Sequence, residues 1–163
     1  MKPHTQSIRR ISALFSLMAV IALPFNARAQ STWMNCHEGT IETRYQQGDV
    51  HIYAMKIQGY SQGDLKTNPL ANSKYICEGI FNTGRGSNTG SIYCQFTTPG
   101  GDLVFSEITA DGEPKSKFKL IGGTGKWAKA TGEGRVALTF TNKKVEDGPF
   151  KACVRGEGTL RLK

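Results

Sequence analysis

From residue 33 onward the chain is written in short runs with a period of two. "HIYAMKIQGY" (51–60) sets His51, Tyr53, Met55 and Ile57 on one side. "KYICEGIF" (74–81) sets Tyr75, Cys77, Gly79 and Phe81 against Ile76, Glu78 and Ile80, and "SIYCQFT" (91–97) sets Ile92, Cys94 and Phe96 against Tyr93 and Gln95. "DLVFSEIT" (102–109), "KSKFKLI" (115–121), "RVALTFT" (135–141) and "FKACVRGEGTLRL" (150–162) follow, and a first strand is expected over "WMNCHEGTIETRY" (33–45). Alternation of this kind marks strands with one buried face, and the Gly, Pro, Asn and Asp between the runs mark turns. No stretch carries a helical stripe. About eight strands in one domain predict an all-β chain, an antiparallel barrel or sandwich. "GYSQGDLKTNPLANS" (59–73) is the one long polar loop, of the kind that forms a mouth or lid.

The first 29 residues are of another type. Lys2, Arg9 and Arg10 precede the uncharged apolar run "ISALFSLMAVIALPF" (11–25), and "ARA" (27–29) is a small-x-small cleavage site. This is the pattern of a secretory leader cut after Ala29, with residues 30–163 as a single barrel domain. The apolar run is short for a bilayer span of about 20 residues, and no second run is long enough, so no membrane span is expected after cleavage. The leader holds four of the 21 Lys and Arg and none of the 13 acids. The remaining domain therefore carries 17 cations against 13 anions, a net +4 rather than +8. No cluster of Lys and Arg is interleaved with stacking aromatics, so nucleic acid is not an expected partner.

All four cysteines follow the leader. An even count in an exported chain predicts two disulfides and a periplasmic or secreted location. No C-x-x-C is present, and the two histidines left after cleavage make a poor metal set, so no metal or cofactor is expected. Three pairings are open. Folding "NTGRGSNTG" (82–90) about its midpoint brings Cys77 opposite Cys94, which favours Cys77–Cys94 and leaves Cys36–Cys153 to join the first strand to the last.

"KLIGGTGKWAKATGEGR" (119–135) raises the one question of chemistry that a motif carries here. Gly123-Thr-Gly125-Lys-Trp-Ala128 formally fits the dinucleotide pattern G-x-G-x-x-[GA]. A loop of that kind opens a helix inside a βαβ unit, whereas here "TGEGR" begins three residues after Ala128; the P-loop pattern fails too, because Lys126 is followed by Trp rather than Ser or Thr. Nucleotide binding is therefore not expected. Gly122, Gly123, Gly125 and Gly132 instead suit bulges and tight corners of a sheet, with Trp127 turned onto the barrel end as a plug.

The segment "LIGGTGKWAKATGEGR" resembles the "GGTG-K/R-aromatic-x-x-A-x-G" stretch of dirigent proteins and the allene oxide cyclase barrel group. "GSIYCQFTTPGGDLVFSE" is similar to the strand–turn–strand with a Gly-Asp pair in small exported bacterial members of that group. The four cysteines are not part of the plant pattern. The resemblance implies an eight-stranded antiparallel barrel. Members guide radical coupling, cyclise lipids or polyketides, or have no known role, and are often dimers or trimers, so a homo-oligomer is in keeping with it.

Within such a barrel the candidates are polar side chains that face the lumen. Glu78 and Glu107, if inside, would have their pKa raised by desolvation and serve as general acid or base. Tyr53, Tyr75 and Tyr93, with His51 near them, suit a phenolic or carbonyl ligand, and Arg135 suits an anionic one. Three functions compete: a barrel that binds a small hydrophobic or phenolic molecule without chemistry, a cyclase or isomerase using a lumen carboxylate or tyrosine, and a packed barrel that acts through protein contacts. A cavity of a few hundred Å³ inside the barrel would separate the first two from the third.

Overall fold

A computed structural model describes residues 29–142 and 146–162; the leader through residue 28 lies outside them. Eight antiparallel strands, each paired with the next and the last with the first, close a barrel. They are β1 (Ala29–Gln47), β2 (Val50–Gln62), β3 (Lys74–Gly84), β4 (Ser87–Thr97), β5 (Leu103–Asp111), β6 (Ser116–Gly123), β7 (Thr131–Thr141) and β8 (Gly148–Arg161). A three-residue 3₁₀ turn, Gly125–Trp127, stands between β6 and β7. No described helix is long and apolar enough to cross a membrane.

Every expected run is a strand, and most are longer than expected. The polar stretch 59–73 begins as the end of β2, so the loop itself is 63–73. The run 82–90 is mostly strand and turns only at Arg85–Gly86, both with positive φ (52° and 77°). Two such residues in a two-residue hairpin match the right-handed twist of the flanking strands. That turn sets the register Cys77↔Cys94, and the closing seam of β1 on β8 sets Cys36↔Cys153. Both pairs are disulfide-bonded, and no described cysteine is free.

The lumen is lined by one alternating set from each strand. Tyr53, Ile57, Tyr75, Cys77, Phe81, Ile92, Cys94, Phe96, Val104, Phe118, Leu120, Phe150 and Leu160 are all buried, and Trp33 packs against them. Tyr53 stacks on Phe81 with centroids 5.8 Å apart, and Trp33 meets Phe118 at 5.2 Å. An eight-stranded barrel has an interior just wide enough for such side chains.

The two ends differ. Loops 63–73, 98–102 and 124–130 gather at one end, and the short turns after β1, β3 and β5 gather at the other. The first end is sealed. In the 63–73 loop Leu70, Ala71 and Asn68 are buried, and Asn68 Nδ2 donates to Ser61 Oγ and to the Gln62 carbonyl, each at 3.0 Å. This polar loop is thus a plug and not a lid. The glycine-rich segment completes the seal. Leu103 N donates to Thr124 Oγ1 and Thr124 N to the Leu103 carbonyl, both at 2.8 Å, tying the segment to β5. Gly125 has φ +53°, and a Cβ there would collide with the Asp102 carboxylate. A Cβ on Gly123 would come within 2.7 Å of the Trp127 Cβ. Both positions require glycine for the turn to fold back and carry Trp127, wholly buried, under the barrel end.

Candidate functional site

The interior offers little space. Among the described residues, a small cavity at the sealed end, between Trp33, Asn35, Ser61, Asn68, Leu70, Phe96, Phe118 and Leu160, leaves about 10 Å³. That is room for about one water and not for an organic ligand.

The alternation within β3 and β5 places both candidate carboxylates outside. Tyr75, Cys77 and Phe81 fill the lumen, so Glu78 points to solvent, where it accepts an ion pair from Lys56 at 2.7 Å with both side chains 65% exposed. Val104 and Ser106 are buried, so Glu107 also faces out, and the Tyr93 hydroxyl donates to it at 2.9 Å. Both carboxylates therefore lie outside the lumen. The hydrogen bond to Glu107, with the carboxylate's charge, raises the Tyr93 pKa. Tyr93 itself is 55% exposed on the outer wall, not in the lumen. Arg135 is exposed too, in register with Lys117 on one side and Glu157 on the other.

Tyr53 and Tyr75 do face inward, and burial raises the pKa of each phenol. Tyr75 OH lies 3.2 Å from His37 Nδ1, whose ring also meets Phe150 edge-on at 6.1 Å. The expectation set His37 aside as a poor metal ligand; its odd position, on the face of Asn35 and Ile41, is the signal that places it inside. Burial lowers its pKa below 6.5, so the fold prefers the neutral ring. The sign follows: a depressed histidine supports the fold above pH 6.5, and that support is lost as pH falls from 6.5 through the folded value. An NMR titration should show a His37 midpoint below 6.5, and chemical denaturation should show stability declining in that window. A midpoint at or above 6.5 would contradict the buried placement.

At the other end His51 Nε2 lies 2.7 Å from Thr43 Oγ1, and Thr43 donates from its hydroxyl and its N–H to Asp147 Oδ1, each at 2.6 Å. Among the described strand residues, no carboxylate faces the lumen; Asp147, from the β7–β8 connection, reaches only the rim. No three described His, Cys, Asp or Glu side chains converge as a metal site.

The outer wall has what the lumen lacks. Over the Cys36–Cys153 bridge lies a hollow of about 590 Å³, edged by Tyr60 (60% exposed) and Phe140 (53% exposed) and lined also by Glu38, Gln58, Gln62, Lys74 and Lys151. It shares Glu38, Gln58 and Lys151 with a second depression of about 520 Å³ toward Pro149 and Phe150, so the two form one groove across β8, β1 and β2. The reason Phe140 stands out is local. The β7–β8 register slips between Leu138 and Phe140, which puts Phe140 opposite the outward Cys153.

Closed eight-strand topology, a sealed end and a packed lumen can be compared with solved structures. The pterocarpan synthase dirigent protein PsPTS1 superposes with a TM-score of 0.52 at 10% identity, covering 82% of this chain and 94% of that one. The pterocarpan synthase dirigent protein GePTS1 gives 0.52 at 13% identity, covering 93% and 100%. The chain shares its barrel fold with these two proteins. No family model matches the sequence, and no curated protein matches it. At such identities the likeness is one of fold. The barrel here bears two disulfides, one inside the wall and one outside.

Proposed function

We propose that this dirigent-type barrel is an exported protein that binds a small hydrophobic or phenolic molecule without chemistry of its own, and that the molecule lies in the groove on the outer wall. The observation that carries the reading is the contrast in space: about 590 Å³ beside two exposed aromatics outside, against room for one water within. Ligand sites generally have several hundred Å³, apolar walls and a few polar groups to fix orientation. Tyr60 and Phe140 supply faces for an aromatic ring, and Gln58, Gln62, Lys74 and Lys151 supply partners for a phenolic oxygen. Two solved structures of this fold are pterocarpan synthase dirigent proteins, which supports a phenolic class. Export is supported by the leader pattern and the two disulfides; the exported chain should read Gln30 as its first residue by intact mass.

Calorimetric titration with 4-propylphenol tests the site. The Tyr60→Ala/Phe140→Ala variant should bind at least about tenfold more weakly, the loss expected for two stacking faces. Tyr75→Phe, in the lumen, should bind as the parent does. Loss confined to Tyr75→Phe would move the site inside and overturn the proposal, and so would heat of binding unaltered in every variant.

A second reading has its own observation. Ile76, Ile80, Tyr93 and Ile121 are exposed on the outer face of β3 to β6, while the lumen is filled. A packed barrel acting through protein contacts, a second copy of itself included, would use such a face. For the enzyme reading, Glu78 and Glu107 lack a lumen position, and only Tyr53 and Tyr75 of its candidate groups face inward.

A further inference from the structure

The two disulfides differ in a way that no family likeness assigns. Cys77 and Cys94 lie on the lumen faces of β3 and β4, 2% and 4% exposed, within the aromatic core. Cys36 and Cys153 lie between inward residues, Asn35 and His37 on β1 and Ala152 and Val154 on β8, so their sulfurs face out. They are partly exposed and form part of the floor of the 590 Å³ hollow. Disulfide exchange proceeds by attack of a thiolate on a sulfur, so access decides which bridge reacts.

We propose that Cys36–Cys153 is a thiol-exchange site for a low-molecular-weight thiol, opened while the barrel stays folded. The thiolate attacks one sulfur, the Cys36–Cys153 bond breaks, and a mixed disulfide forms. The other cysteine leaves as a thiolate and takes up a proton from water. A second molecule of the thiol then attacks the mixed disulfide, giving two protein thiols and the oxidised external disulfide. The ammonium groups of Lys74 and Lys151 line the hollow, favouring entry of an anionic thiol and departure of the protein thiolate, with the Glu38 carboxylate opposing them in part. The barrel survives the step because β1 and β8 remain paired from Ala29↔Leu160 to Ile41↔Gly148. This inference does not rest on the phenolic ligand.

Reduced glutathione, added to the native protein at neutral pH, provides the probe. After quenching with iodoacetamide, peptide mass spectrometry should find alkylated Cys36 and Cys153 with Cys77 and Cys94 still joined, and the far-UV circular dichroism should be unchanged. Lys74→Gln/Lys151→Gln should slow the reaction about two- to tenfold at low salt, and the difference should shrink at high salt. Labelling of all four cysteines at a single rate would mean that exchange needs unfolding, and absence of labelling would mean that the outer bridge is closed to thiols; either overturns the proposal. A rate that the lysine substitutions do not change would refute the part assigned to the ammonium groups.

Discussion

Trp127→Ala should be the most damaging single substitution in the domain, with a loss of about 3–5 kcal/mol, the range found for removing a buried indole. For a domain of this size that lowers the melting temperature by roughly 10–20 °C. The expectation rests on packing. Trp127 has no exposed surface and belongs to the same apolar cluster as Val104, Leu120, Ala130 and Leu160. It is carried on a three-residue turn whose position is fixed by hydrogen bonds from Trp127 N to the Thr124 carbonyl (2.9 Å) and from Ala130 N to the Trp127 carbonyl (3.0 Å). A turn so tied cannot collapse into the space that the indole leaves, so the cavity term adds to the lost burial. Its Nε1 has no hydrogen-bond partner among the described residues, so Trp127→Phe should cost much less, about 1–2 kcal/mol. Urea denaturation of the three proteins decides the matter. An alanine variant within 1 kcal/mol of the parent would show that the barrel end is not sealed by this residue.

Deleting the outer bridge is expected to cost a comparable amount. The Cys36→Ala/Cys153→Ala variant removes a cross-link spanning 117 residues of sequence. The chain-entropy model gives about 5 kcal/mol for a loop of that length, against about 3 for the 17-residue separation of Cys77 and Cys94. The outer pair reports the cross-link with little else, since its sulfurs fill no core space. Alanines at 77 and 94 would open a hole among buried side chains as well, so that variant measures closure and packing together. Guanidinium denaturation should therefore show a lower midpoint for the outer variant while its circular dichroism stays that of the barrel, because the β1–β8 ladder remains. A midpoint equal to the parent's would mean that the unfolded chain is already held near its ends by other contacts.

Much of this architecture can be read from single residues. The hairpin pairing Cys77 with Cys94 follows from a run of turn formers whose midpoint, Arg85–Gly86, is where the chain does turn. The character of the 119–135 segment follows from glycines too closely spaced for a helix, and the structure gives it only a 3₁₀ turn. The hollow on the outer wall could not be read in this way. It requires Tyr60 on β2, Cys36 on β1 and Phe140 on β7 to stand side by side, and Phe140 does so only because the β7–β8 register slips before it. A one-residue slip reverses the face of every later side chain, and nothing in "RVALTFT" announces it.

By itself the sequence determined two things: which residues are strands, and how the residues of each strand divide into two sets. It did so because successive side chains on a pleated strand must point to opposite faces. It did not determine which set lies inside, since in β3 one set is Tyr75, Cys77 and Phe81 and the other holds Ile76 and Ile80, both apolar. Only closure of the ring decided that. A lumen eight strands wide must be filled by large side chains from every wall at once, so the aromatic set went in and left Glu78, Glu107 and Tyr93 to the water.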